Sequence, residues 1–236
     1  TVVTTNVSGN GFIRKWRLDG KLHREHDLPA YWDSCGIREW RLYGDMHRDH
    51  DRPAAIYDAN GFRLWCLHGK THREHDRPAR ILNDGTRKWY RHRRMHRDHD
   101  RPACMDANGF RLWCQHGKLH RDHDLPAHIL DDGTRKWYRH NIIRRGNDLP
   151  AVVDPDGTRI WYRHDWPHRS HDLPARIDHE ETCIIWVRCG RSFRNHGRPT
   201  SICDNGERSY HCSGDSDDDD EDDGINVSWS TADAPF

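Results

Sequence analysis

Tryptophan recurs along this chain at Trp16, Trp40, Trp65, Trp89, Trp113, Trp137, Trp161 and Trp186, every 24 or 25 residues, and that period limits the fold more than any local propensity does. Proline keeps step at Pro29, Pro53, Pro78, Pro102, Pro126, Pro150, Pro174 and Pro199. Eight units therefore fill residues 9–214 without a linker, and a ninth starts at Cys203-Asp204-Asn205-Gly206 with Tyr210 in the Trp place. Within one unit, Ala79 and Ile81 lead into Asn83-Asp84-Gly85 and then Arg87-Lys88-Trp89-Tyr90. Two short runs about an Asp-Gly or Asn-Gly turn predict a β-hairpin, so each unit reads as one hairpin plus a return loop. If the turn takes three residues, Ala79, Ile81, Arg87 and Trp89 share one face. Gly and Pro in every unit leave no helical window.

The predicted fold class is all-β: an elongated single-layer array, a solenoid-like ribbon, of about eight tandem β-hairpin repeats of 24–25 residues. Hairpins laid side by side at ~4.8 Å per strand give a rod of roughly 75 to 80 Å. A propeller blade needs about 40 residues, and the ladder of Leu or Ile that a leucine-rich repeat requires is missing. Residues 1–8 are a lead-in, 215–224 an acidic low-complexity segment, and 225–236, with Ile225, Val227, Trp229 and Phe236, a C-terminal anchor.

Only 33% of the residues are apolar, well below the usual share for a single-core domain. Eleven tryptophans nevertheless argue against disorder. No stretch approaches the ~18 apolar residues of a membrane helix, so no membrane span is expected. The formal charge of zero hides a division. Residues 215–236 hold nine acids and no Lys or Arg, which leaves 29 acids against 38 cations, or +9, in 1–214. The like-charged run 215–223 is expected to meet a basic surface, on a partner or on the body itself. Eight cysteines without a C-x-x-C pair predict free thiols in a reducing compartment or a virion, with secretion left open.

Comparison between units exposes the columns that the fold demands. Arg stands five before Pro at Arg24, Arg48, Arg73, Arg97, Arg121, Arg145, Arg169 and Arg194. Asp stands two before Pro at Asp27, Asp51, Asp76, Asp100, Asp124, Asp148 and Asp172, with Gly197 in the eighth unit. These columns read as a ladder of charge-assisted hydrogen bonds, within a loop or between units, and the Trp column as a stacked apolar spine. Histidine, 21 residues in all, falls mainly in three columns. His-x-x-His-Asp, as at His72 and His75, His96 and His99, or His120 and His123, could hold zinc or nickel. Unit six replaces both by Arg144 and Asn147 with the register intact, which favours a hydrogen-bonding role. No cofactor is expected. An active site needs a unique constellation, whereas this chain offers the same residues eight times, so it reads as no enzyme.

The pattern Gly-x-x-x-Trp-x-x-x-Gly-Lys-x-His-Arg, most regular from Gly61 to Arg73 and from Gly109 to Arg121, resembles the variant form of MORN repeats. Arrays with a related His-Arg-x-x-Gly-Pro-Ala signature are similar to proteins of giant DNA viruses of amoebae and of some bacteria. This chain has His-Asp-Leu/Arg-Pro at the corresponding place. The resemblance implies an elongated β-hairpin array in a viral context. The expected function is a structural scaffold binding other proteins along a ribbon, as a homo-oligomer or among virion proteins. The alternatives are a polyanion binder contacting nucleic acid or acidic lipid through the Arg-rich body, and metal binding by the His columns.

Overall fold

The computed structural model describes residues 2–8, 11–179, 183–188, 190–192, 194 and 198–210. The segments 215–224 and 225–236, with the expected acidic and anchoring roles, lie outside the described residues, as do His196 and Gly197. The described chain is all-β, apart from a 3-10 turn at Asp58–Asn60. Among the described residues one antiparallel sheet holds 19 strands. It runs as a meander in which each hairpin pairs within its unit and then with the next: Arg80 faces Leu64 on one side and Lys88 on the other, and Lys88 faces Cys104. The array of successive hairpins is elongated, as its period predicts. No helix among the described residues is long and apolar enough to cross a membrane.

In the unit around Trp89 the hairpin turn has the three-residue form, whereas Tyr57 pairs with Phe62 across four residues that include the 3-10 turn. Ile81 pairs with Arg87, Leu82 N–H donates to the Thr86 carbonyl at 2.9 Å, and Gly85 closes the loop at φ 82°. That left-handed residue favours glycine, and the Asp84 carboxylate accepts the Thr86 N–H at 2.8 Å. Ala79, Ile81, Arg87 and Trp89 accordingly share a face.

The return loop differs from the expectation, because it opens with a second hairpin. Beyond Trp89, Tyr90–Arg91 pairs with Arg94–Met95 around a two-residue turn, His92-Arg93. Among the described residues seven separate two-stranded sheets of this kind line up beside the main sheet, and Arg17-Leu18 against Lys21–Leu22 forms the equivalent in the first unit. Such turns need two consecutive positive φ angles, met by Asp19-Gly20, Tyr43-Gly44, His68-Gly69 and His140-Asn141. Neighbouring turns bond in series, Gly117 N–H donating to the Met95 carbonyl at 2.9 Å and Asn141 N–H to Leu119 at 2.9 Å.

The core is thin. Every Ala after Pro from Ala30 to Ala175 is at most 1% exposed, and the tryptophans of the 24-residue column from Trp40 to Trp186 are 6 to 8% exposed, whereas Trp166, outside the column, is 59% exposed. No large side chain among the described residues falls below 2%. The cysteines correct the expectation of free thiols: Cys183 and Cys203 form a disulfide, while Cys35, Cys66, Cys104 and Cys114 are free. Strand pairing across the sheet, rather than closeness in sequence, brings Cys183 and Cys203 together. Asp178 N–H donates to the Cys183 carbonyl in one hairpin, Cys203 N–H to Glu207 in the next, and Ile184 pairs with Ile202 between them.

Candidate functional site

The Arg, Asp and Trp columns converge on one contact repeated at every junction between units. Arg73 Nε donates to Asp51 Oδ1 at 2.6 Å and its Nη2 to Oδ2 at 3.0 Å, while Nη1 reaches the carbonyl of its own Pro78 at 3.2 Å. The Arg73 guanidinium lies 3.8 Å from the Trp65 ring centroid. Trp65 Nε1 donates to the Asp51 backbone carbonyl at 3.0 Å. The same links join Arg48 and Trp40 to Asp27, Arg97 and Trp89 to Asp76, Arg121 and Trp113 to Asp100, and Arg145 and Trp137 to Asp124. Arg169 and Trp161 meet Asp148, and Arg194 and Trp186 meet Asp172. Arg24, in the first unit, stacks over Trp16 at 3.8 Å and donates to Pro29.

The ladder thus runs between units and not within a loop. Arg73 and Asp76, three residues apart, serve opposite neighbours, because the guanidinium edge left over from the Pro78 contact faces the preceding unit. The tryptophan spine changes character too. Units repeat at ~9.6 Å, two strands at ~4.8 Å, which is too far for rings to stack on one another. Each ring stacks instead on an arginine, a cation–π contact in a largely desolvated place.

A second arginine, one before Pro, strengthens four junctions. Arg52 joins Arg48 on Asp27, Arg77 joins Arg73 on Asp51, and Arg101 joins Arg97 on Asp76. Arg198 reaches Asp172 at 2.7 Å. Where this position is Leu125, Leu149 or Leu173, the acid keeps one arginine. The hydrogen bond from Arg48, helped by Arg52, holds the Asp27 carboxyl down at about 2, and corresponding partners hold Asp51, Asp76 and Asp124 below the ordinary carboxylate range.

Backbone conformation accounts for two histidine columns. His26-Asp27, His75-Asp76 and His99-Asp100 sit consecutively at φ between 51 and 60°, a left-handed region in which His, Asn and Asp are enriched. Unit six places Asn147-Asp148 there at φ 56 and 49°, which is why its register survives. His68, His92, His116, His140 and His164 hold the first turn position of the second hairpin, again at positive φ.

The third column is buried and pairs across junctions. Tyr43 N–H donates to His23 Nδ1 at 3.1 Å, His68 N–H to His47 Nδ1 at 3.1 Å, and His116 N–H to His96 Nδ1 at 3.2 Å. An accepting Nδ1 carries no proton, so in His96 the proton sits on Nε2, which meets Asp98 at 2.8 Å; His120 Nε2 meets Asp122 at 3.0 Å. Each ring stacks on the turn residue of the next unit: His72 on His92 at 4.5 Å, His96 on His116 at 4.7 Å, His120 on His140 at 4.2 Å. The two imidazoles of His-x-x-His differ in burial, His23 with 4% of its side chain exposed and His26 with 88%, although both come within 4.0 Å of the Glu25 carboxylate between them. His72, His96 and His120 go inward while His75, His99 and His123 occupy exposed turns. Among the described residues no three His, Cys, Asp or Glu side chains converge as a metal ion would require.

One further column escaped the sequence reading. Arg14, Arg38, Arg63, Arg87, Arg111, Arg135, Arg159 and Arg208 lie in a single row across the sheet, alternating with Trp32, Ile56, Ile81, Met105, Ile129, Val153 and Ile177. Ile184 and Ile202 complete the row before Arg208. Its signal was an Arg two before Trp in seven units. Asp58 pairs with Arg38 and Arg63, whereas Arg87, Arg135, Arg159 and Arg208 are exposed and have no ion pair among the described residues. No protein-family model and no curated protein matches the chain.

Proposed function

We propose that the chain is a non-enzymatic scaffold, a ribbon that carries other proteins along its length within a large assembly such as a virus particle. One observation carries this reading. The Arg, Asp and Trp columns and the buried His column are engaged in joining each unit to the next, and the surface left over repeats at every unit, a form suited to repeated or extended partners. The resemblance to MORN-type viral arrays points the same way. Cross-linking mass spectrometry on the native particle or extract tests it. One protein linked at equivalent positions of several units, such as Lys21, Lys70 and Lys118, is the expected outcome. Links to a small substrate-sized molecule at a single unit would refute it.

The row of exposed arginines favours a second reading, polyanion binding. Affinity for a single-stranded oligonucleotide should then fall steeply with salt, whereas scaffold contacts of apolar character should not.

A further inference from the structure

We propose that the acidic segment 215–223 docks in cis on the arginine row, against Arg87, Arg111, Arg135 and Arg159. The inference does not depend on what the array carries. It rests on charge, on a face and on a reach.

The segment holds eight acidic residues in nine positions. The row offers cations at one per unit, ~9.6 Å apart, on a face where Arg87, Arg135 and Arg159 are exposed without an ion pair among the described residues. The acids nearest the hairpin tips are engaged elsewhere: Asp84, Asp132 and Asp156 accept the N–H groups of Thr86, Thr134 and Thr158 at 2.7 to 2.8 Å. Paired positions on the opposite face, such as Arg80 with Lys88 and His128 with Lys136, are half-buried and offer fewer free charges.

Reach selects the part of the row. The last strand of the array is Arg208–Ser209. Residues 215 and 223 lie six and fourteen positions beyond Ser209, so at ~3.4 Å per extended residue they reach at most ~20 and ~48 Å from it. Counting strands back from Arg208 through Ile202, Ile184 and Ile177, Arg159 is four strands away, or ~19 Å, and Arg87 ten strands, or ~48 Å. Arg135 and Arg111 fall between, at ~29 and ~38 Å. Arg14, sixteen strands away at ~77 Å, is beyond the acids of the same copy.

Carbodiimide coupling of carboxylates to amines in the full chain tests this. Three single variants, Arg135→Lys, Arg159→Lys and Arg14→Lys, are each treated as an equal mixture of isotopically labelled and unlabelled copies. The expected result is same-copy cross-links from the amines at 135 and 159 into 215–223, falling severalfold in 0.5 M salt as screening weakens exposed pairs. Position 14 and the native Lys88 and Lys136, whose strand positions face the other way, should give none. Absence of links from 135 and 159, equal yield from Lys88 and Lys136, or links joining only labelled to unlabelled copies would overturn the proposal; the last would place a second copy on the row. As an independent measurement, replacing the eight acids by Asn and Gln should tighten binding of a labelled oligo-aspartate peptide by ~10-fold, because a tethered competitor is removed. An unchanged affinity would overturn it equally.

Discussion

Replacing Asp27 by Asn isolates the ionic part of one junction. The substitution keeps a residue that tolerates φ 55° and leaves the backbone carbonyl that accepts Trp40 Nε1. It removes the charge that receives Arg48 at 2.6 and 3.0 Å and Arg52 beside it. The Asp27 carboxyl is held at about 2 against an ordinary 3.8, which at 1.36 kcal/mol per pH unit amounts to ~2.5 kcal/mol. The side chain is 34% exposed, so solvent screening reduces this to about 1 to 1.5 kcal/mol at neutral pH. Because the folded value lies below the unfolded one, the contribution is complete above ~4 and is lost as pH falls through about 2. The assay is amide exchange over 37–47 in wild type and D27N at pH 7 and at pH 2.5. Protection should drop by about a factor of 5 to 13 at pH 7 and by only about twofold at pH 2.5, where part of the ionic contribution is already lost. Equal losses at both values, or a loss below about 0.3 kcal/mol at pH 7, would show that the Arg–Trp stack alone holds the junction.

Three other outcomes are expected. His99, at φ 60°, should accept Asn within about 0.5 kcal/mol, whereas His99→Val should cost about 1 to 2 kcal/mol in thermal melts, since a β-branched residue is strained there. Reducing the Cys183–Cys203 disulfide, which spans 20 residues, should lower the stability of segment 184–202 by about 3 kcal/mol in exchange measurements and leave Trp65 through Trp137 untouched. Of the free thiols, exposed Cys35 should alkylate first at pH 8, while Cys114, pushed up to about 11 by burial, should react only on unfolding, as peptide mapping would read.

Those features set by covalent spacing were legible in the sequence. The period of Trp and Pro gives the array, and Asn83-Asp84-Gly85 gives the turn, because turn chemistry is local. Partner choice was not legible. Asp76 is the nearer acid to Arg73 along the chain, yet Arg73 bonds Asp51 of the preceding unit while Asp76 takes Arg97 of the following one. The histidine columns suggested ligands by spacing, yet the substitutions within them already pointed to backbone conformation: the residues that share the His-Asp positions, Asn147 and Gly197, all tolerate positive φ. The second hairpin was hidden because only some units mark its turn with glycine, as at Asp19-Gly20, while others use His140-Asn141. The disulfide was hidden because its cysteines are neighbours across the sheet and not along the chain.

Each junction joins an acid and a carbonyl on one side to an arginine and an indole on the other, so the contact has a direction. Any unit fits any other, and a gene that gained or lost one 24-residue copy by unequal exchange would encode a chain in which every junction is still complete. Length is then free to vary without redesign of the interior. The exception is the eighth unit, where Gly197 takes the acid's place and offers a following arginine no carboxylate. Restoring Asp at that position would make the end of the array indistinguishable from its middle and ready to accept another copy.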